Sequence, residues 1–289
     1  MTAAWFPQKN RGLTSGLVGA GLTLGTGFGG YYANLLWDWY GQWRDCIVRG
    51  GILWLIFIVL YLVFAKDAPR GLYPEDTAAE QVFYETPRVN VWTLPGAWLC
   101  TMALFCVCWM ACGFQTTLPS YMTELGYTTD QSGAALLWNG LIGLIMTPVG
   151  GALSDTFIRR GVSPLKARAY CMAFVGFLFT AVSLFIFPFV AGISFSLVMV
   201  ISLLHGLGAP VSNASIGALP LDLLGDPVLA DKMFGMTCLL GLSGGIIAPL
   251  IVTAAVEAYG WTAGIFITAL GAVAGVIIGI IMPKFKRDR

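Results

Sequence analysis

The feature that most constrains this chain is a run of eight long apolar stretches separated by short polar ones. They are Leu13 to Trp37, Ile47 to Ala65, Leu94 to Phe114, Gly133 to Leu153, Ala169 to Phe189, Ser194 to Leu219, Met233 to Val256 and Trp261 to Met282. A helix that crosses a bilayer needs about 20 mostly apolar residues. In lipid the backbone must be satisfied within a helix or a closed barrel. Barrel strands read as short segments of alternating polarity, and that alternation is missing here. The expected fold class is an all-α polytopic membrane protein with eight transmembrane helices. Composition agrees, since 57% of the 289 residues are hydrophobic and 11% are charged. A soluble domain carries about 25% charged residues. With a net charge of +1, the expected partner is the lipid bilayer and not nucleic acid.

The basic residues sort by side. Lys9 and Arg11, then Lys66, Arg70 and Arg88, then Arg159, Arg160, Lys166 and Arg168, then Lys232, and finally Lys284, Lys286, Arg287 and Arg289 fall in one set of connections. Arg44 and Arg49 fall in the other. The crowded side is expected to be cytoplasmic, which puts both termini there, in a plasma or inner membrane. Trp37, Trp39, Tyr40, Trp43, Tyr259 and Trp261 cluster at the opposite ends, as an interfacial aromatic belt does. The seven cysteines show no zinc or disulfide spacing. No Gly-x-Ser-x-Gly, His-Glu-x-x-His or phosphate loop occurs. No enzyme activity, cofactor or metal is therefore expected.

The polar stretch 66–93 is the longest connection and reads as a cytoplasmic linker. It separates two helices in residues 1–65 from six in residues 94–289. A displacement of 219 positions places Gly16 on Gly235, Gly25 on Gly244, Asp38 on Glu257, Tyr40 on Tyr259 and Gly41 on Gly260. With one residue skipped, Trp43 falls on Trp261 and Ile47 on Ile265. Spans one and two then repeat spans seven and eight. Four further spans are expected ahead of Met1 to complete a first bundle of six, the parallel repeat known among secondary transporters.

The connection after span four reads Gly151-Ala152-Leu153-Ser154-Asp155-Thr156-Phe157-Ile158-Arg159-Arg160. It resembles the signature G-x-L-x-D-[RK]-x-G-[RK]-[RK] of the major facilitator superfamily through Gly151, Leu153, Asp155, Arg159 and Arg160. Thr156 and Ile158 depart from it, as in the degenerate copy of that family's C-terminal half. Trp5-Phe6-Pro7 followed by Arg11-Gly12 resembles the loop before the family's fifth helix. Gly12, Gly21, Gly25, Gly29 and Gly30 fall on its G-x8-G-x3-G-P-x2-G-G motif, with Thr26 in place of the proline. The resemblance implies that the chain corresponds to the family's fifth to twelfth helices: the last two helices of an N-terminal bundle (1–65), a linker (66–93) and a C-terminal bundle (94–289). It also implies a gate role for Gly151, Asp155, Arg159 and Arg160. A carboxylate at such a helix end can pair with arginine. The small residues Gly21, Gly25, Gly29 and Gly244 let helices pack closely.

Polar groups inside lipid face a cavity or a partner. Candidates for a substrate path are Asn34, Gln115, Thr116, Asn139, His205, Asn213 and Ser243. His205 titrates near neutral pH in water and can carry a coupling proton, or it can serve as a neutral hydrogen-bonding group between helices. Arg49, near an outer end, reads as a snorkelling side chain. Gly241, Gly244, Gly245 and Pro249 in span seven allow bending or close packing. The expected function is transport of a small organic solute, organic anions included, by a proton- or ion-coupled secondary transporter using alternating access. Symport and antiport both remain open. The alternative is a non-transporting membrane fragment or an assembly partner of a transporter.

Overall fold

The structure is a computed structural model that describes residues 11–65, 89–224 and 227–285. The loop at Trp5, the greater part of the linker (66–88) and the last four residues lie outside the described residues. All regular structure among the described residues is helical. The helices are α1 (Arg11–Tyr40), α2 (Trp43–Phe64), α3 (Pro95–Glu124), α4 (Thr129–Arg159), α5 (Pro164–Val190), α6 (Phe195–Ile216), α7 (Leu219–Leu224), α8 (Pro227–Gly241), α9 (Gly244–Tyr259) and α10 (Trp261–Ile281). Seven of the expected spans are long and apolar enough to cross a membrane, with α8 and α9 sharing one of them. The remaining one is α1, a continuous helix of 30 residues whose apolar run is diluted by glycine.

Each helix starts and stops for a local reason. Pro95 and Pro164 open α3 and α5 at the first turn, where the missing N–H costs nothing. Thr128 and Gln131 form a reciprocal capping box at the start of α4. The two corners that the 219-residue displacement aligns both turn at a glycine with positive φ. α1 ends at Tyr40, Gly41 adopts φ +63°, and α2 begins at Trp43. Likewise α9 ends at Tyr259, Gly260 adopts φ +84°, and α10 begins at Trp261. Positive φ is open to glycine at little cost.

The expected span Met233 to Val256 is broken. A turn at Leu242 and Ser243 divides α8 from α9, and Ser243 Oγ donates to the Leu240 carbonyl at 2.6 Å. Glycine weakens a helix here, and the serine offers the backbone a competing bond. A second irregularity lies in α5, where Cys171–Phe177 winds as a π-helix. Ser212 Oγ of α6 donates to the Met172 carbonyl in that segment at 3.3 Å.

Packing follows the small residues. α3 lies against α8, α9 and α10, α5 against α6 and α10, and α4 against α6. A Cβ on Gly206 of α6 would come within 2.2 Å of Ile142 and 2.8 Å of the Asn139 carbonyl oxygen on α4. One on Gly244 of α9 would come within 2.4 Å of the Phe105 carbonyl oxygen on α3. Without a hydrophobic driving force between helices in lipid, such backbone approaches supply dispersion contacts that hold the bundle. The core they surround includes Met110, Phe114, Met172, Phe177, Leu184 and Phe187. α1 lies along α4 in the most extensive helix pairing of the structure. α2 packs on α1, and its apolar side chains, Leu60, Leu62 and Phe64 among them, are exposed, as befits a helix immersed in hydrocarbon.

Candidate functional site

The gate-like segment forms the last turns of α4. Gly151 and Asp155 are half-buried there, and Arg159 and Arg160 are exposed. The cation that meets Asp155 is not one of the motif's own arginines. Arg168 of α5 places Nη2 3.6 Å from Asp155 Oδ1, and its Nη1 donates to Asp222 Oδ2 of α7 at 2.8 Å. Side-chain exposure is 16% for Arg168, 27% for Asp155 and 12% for Asp222, so the three charges are largely withdrawn from solvent. Among the described residues Arg159 and Arg160 make no ion pair. Electrostatics explains the arrangement. Asp155 lies near the C-terminus of α4, and Arg168 lies near the N-terminus of α5. Each charge opposes its own helix dipole, and each offsets the other. The network joins three elements of residues 94–289: the end of α4, the start of α5 and α7.

A second polar cluster lies between α4 and α6. Trp138 turns outward and is exposed, and Asn139 beside it is buried. Asn139 Nδ2 donates to the Ser202 carbonyl oxygen at 2.7 Å and lies 3.2 Å from His205 Nδ1. The His205 ring is 1% exposed and stacks on Phe114 of α3 with centroids 4.1 Å apart. Among the described residues, Ser202 Oγ and His205 Nε2 are buried without a hydrogen-bond partner.

Of the other expected path residues, those with described side chains are not shown to join this pair. Thr116 is exposed and donates to the carbonyl of Cys112, one turn back. Ser243 bonds Leu240 at the α8–α9 break. Gln115 and Asn213 are half-buried on α3 and α6. Asn34 belongs to α1, but its side chain lies outside the described residues. Of the glycines, Gly244 sits against the Phe105 carbonyl, whereas Gly21, Gly25 and Gly29 have nothing described within 4 Å of where a Cβ would be. Arg49 holds its guanidinium 3.9 Å over the Tyr40 ring, a cation–π pair across the α1–α2 corner. The region bounded by Phe114, Tyr121, Leu184, Phe187, Ile265 and Thr268 leaves no room for a water molecule.

Sequence reasoning passed over Arg168, Asp222, Ser202 and Phe114. Arg168 registered only as one positive charge among many. No local pattern joins it to Asp155, which lies on the preceding helix, or to Asp222, 54 residues on.

Residues 1–165, more than half of the chain, match the sequence profile of the Major Facilitator Superfamily. The chain belongs to this superfamily. Relatives that it resembles are transporters by name. It is 27% identical over 189 residues to a chloroplastic ascorbate transporter of Arabidopsis thaliana, an alignment covering 62% of this chain and 35% of that protein. It is 26% identical over 233 residues to the probable sulfoacetate transporter SauU of Cupriavidus necator, covering 76% of this chain and 53% of that protein. It is 26% identical over 160 residues to the probable nitrate/nitrite transporter NarK2 of Mycobacterium tuberculosis, covering 55% of this chain and 38% of that protein. The chain thus spans about a third to a half of the length of these relatives.

Proposed function

We propose that the protein is a carrier and not an enzyme, and that it moves a small organic anion across the membrane by proton- or ion-coupled alternating access. The match to the superfamily over residues 1–165, which contain the Asp155 segment, carries this reading. Ascorbate and sulfoacetate, solutes in two relatives' names, are organic anions at neutral pH, and nitrate and nitrite, in a third, are inorganic ones, so the names support an anion and two of them an organic one. In this reading residues 1–65 and 94–289 belong to two bundles joined by the 66–93 linker, and both termini are cytoplasmic.

The two polar clusters then take distinct roles. Asp155, Arg168 and Asp222 hold the cytoplasmic end of α4 in one gate state, with Gly151, Arg159 and Arg160 on the same helix end. They act on the gate through α4, because α4 carries the contact with α1. Asn139 and His205 stand on the coupling path, with His205 as the proton carrier. The half-buried Gln115 and Asn213, together with Asn34, Thr116 and Ser243, contribute polar lining, and Gly21, Gly25 and Gly29 leave α1 a face that another helix can approach.

The test is uptake of radiolabelled ascorbate, sulfoacetate and nitrate into proteoliposomes. At least one is expected to enter faster than into protein-free vesicles, with the rate changed by an imposed proton gradient and reduced by Arg168→Ala. Reconstituted, folded protein that moves none of the three under any gradient would favour a non-transporting assembly partner.

A further inference from the structure

The contact between Asn139 and His205 fixes where their protons are. Asn139 Nδ2 lies 2.7 Å from a carbonyl oxygen, that of Ser202. A carbonyl only accepts, so the amide must present its NH2 group there and not Oδ1. The same NH2 group lies 3.2 Å from His205 Nδ1, which therefore accepts and carries no proton. The neutral ring holds its proton on Nε2. One amide of α4 thus binds two groups of α6, the Ser202 carbonyl and the imidazole.

Protonation of the ring breaks this pattern. Both nitrogens of an imidazolium donate, so Nδ1–H would face N–H. Turning the amide over would satisfy Nδ1 with Oδ1, but it would set Oδ1 against the Ser202 carbonyl, acceptor to acceptor. Neither orientation keeps both bonds, and an unmade buried bond is costly. Among the described residues, the groups shown against the ring are Asn139 from α4, and Phe114 and the Met110 backbone from α3. None is an acid, a base or a thiol. α5 reaches this cluster through Phe187, which meets Phe114. On α3, Cys108 and Cys112 face Gly245 of α9 instead. Among the described residues, then, no neighbouring carboxylate takes over the role of the lost amide bond.

We propose that Asn139 is a protonation-reading clamp, which ties α4 to α6 while His205 is neutral and releases it when His205 takes up a proton. Gly206 brings the two helices into backbone contact at this level, so a loosened amide is felt along the whole crossing. Because α1 lies along α4, release reaches the contact between residues 11–40 and α4. The clamp's use in transport rests on the proposed proton coupling at His205. The clamp itself does not.

His205 is the only histidine of the chain, so histidine-specific 15N labelling gives one pair of ring signals from the protein in lipid nanodiscs. At neutral pH these are expected to report a protonated Nε2 and a bare Nδ1. A spin-label pair at Trp138 and Val200, both exposed on α4 and α6, is expected to gain a second distance population as the ring titrates. His205→Gln offers an acceptor at every pH and is expected to keep a single population. Asn139→Leu is expected to show the same distances at both ends of the titration. A neutral ring protonated on Nδ1 would overturn the clamp. So would an imidazolium that leaves the distances unchanged, a ring that never titrates while the protein stays folded, or an equal pH response in His205→Gln. The NMR result needs no variant to fold. If the wild-type distances respond but His205→Gln retains the pH dependence of uptake, the clamp stands and proton coupling at His205 falls. If uptake loses its pH dependence while wild-type distances stay fixed, the clamp falls alone.

Discussion

Replacing Arg168 by alanine would leave Asp155 and Asp222 without their shared cation. The 2.8 Å bond to Asp222, between side chains 16% and 12% exposed, is a charge-assisted bond worth about 1.5–3 kcal/mol. The 3.6 Å approach to Asp155, which is 27% exposed, adds about 0.5–1 kcal/mol once solvent screening is counted. Arg168→Ala should therefore cost about 2–4 kcal/mol. Even the lower figure corresponds to roughly a thirtyfold change in a two-state equilibrium. Unfolding of the purified protein in bicelles or nanodiscs reads the cost directly. Cysteine accessibility at the basic end of α4 reads its effect on the gate. The geometry also sets an order: Arg168→Ala should exceed Asp222→Asn, which should exceed Asp155→Asn. Arg168→Lys should fall between, because one ammonium cannot serve both carboxylates as a planar fork does. Arg159→Ala and Arg160→Ala, at exposed positions, should stay within about 0.5 kcal/mol of wild type. If Arg159→Ala costs as much as Arg168→Ala, or Asp155→Asn more than Asp222→Asn, the assignment of the network is wrong.

Five other substitutions separate packing, backbone and hydrogen-bond effects. Gly206→Ala drives a methyl group to 2.2 Å from Ile142 and 2.8 Å from a backbone oxygen of α4, so it should cost about 1–3 kcal/mol; Gly21→Ala, with nothing described within 4 Å, should be neutral or stabilising in the same unfolding assay. Gly260→Ala should cost more than Gly41→Ala, because φ +84° and ψ 173° at Gly260 lie in a region nearly closed to other residues, worth about 1–3 kcal/mol, whereas the left-handed φ of +63° at Gly41 costs about 1–2 kcal/mol. Trp261→Phe keeps the ring contact with Tyr121 but removes the indole N–H that donates to Glu124, so a loss of about 1 kcal/mol or less is expected in thermal unfolding.

The sequence made the spans legible because hydrocarbon imposes one rule on every crossing segment, and apolar length reports it. It made the Tyr-Gly corners legible because Gly41 and Gly260 are needed there by backbone conformation. The break at Leu242 and Ser243 was visible only as a concentration of glycine around a serine. The glycines on either side of that turn sit against Leu104 and Phe105 of α3, a contact that no local pattern announces. The π segment of α5 left no mark, since Cys171–Phe177 is as apolar as its neighbours. At the site, Asp155 stood out through the Gly151–Arg160 motif, and Asn139 and His205 because polar groups are costly in lipid. Their partners did not. Arg168 lay among other cytoplasmic-side cations, and Asn139 meets His205 across 66 residues of chain. Pairings of that range belong to the packing of helices and carry no local signature.

The most direct measurement is gradient-driven flux through the purified chain. Proteoliposomes loaded at one pH and diluted into another, with labelled sulfoacetate, ascorbate or nitrate outside, report whether a proton gradient moves an anion. The expected result is transient accumulation above the equilibrium level that collapses with a protonophore and is weakened by Arg168→Ala. Equal uptake by protein-containing and protein-free vesicles, for all three anions and in both directions of the gradient, would contradict transport by this chain.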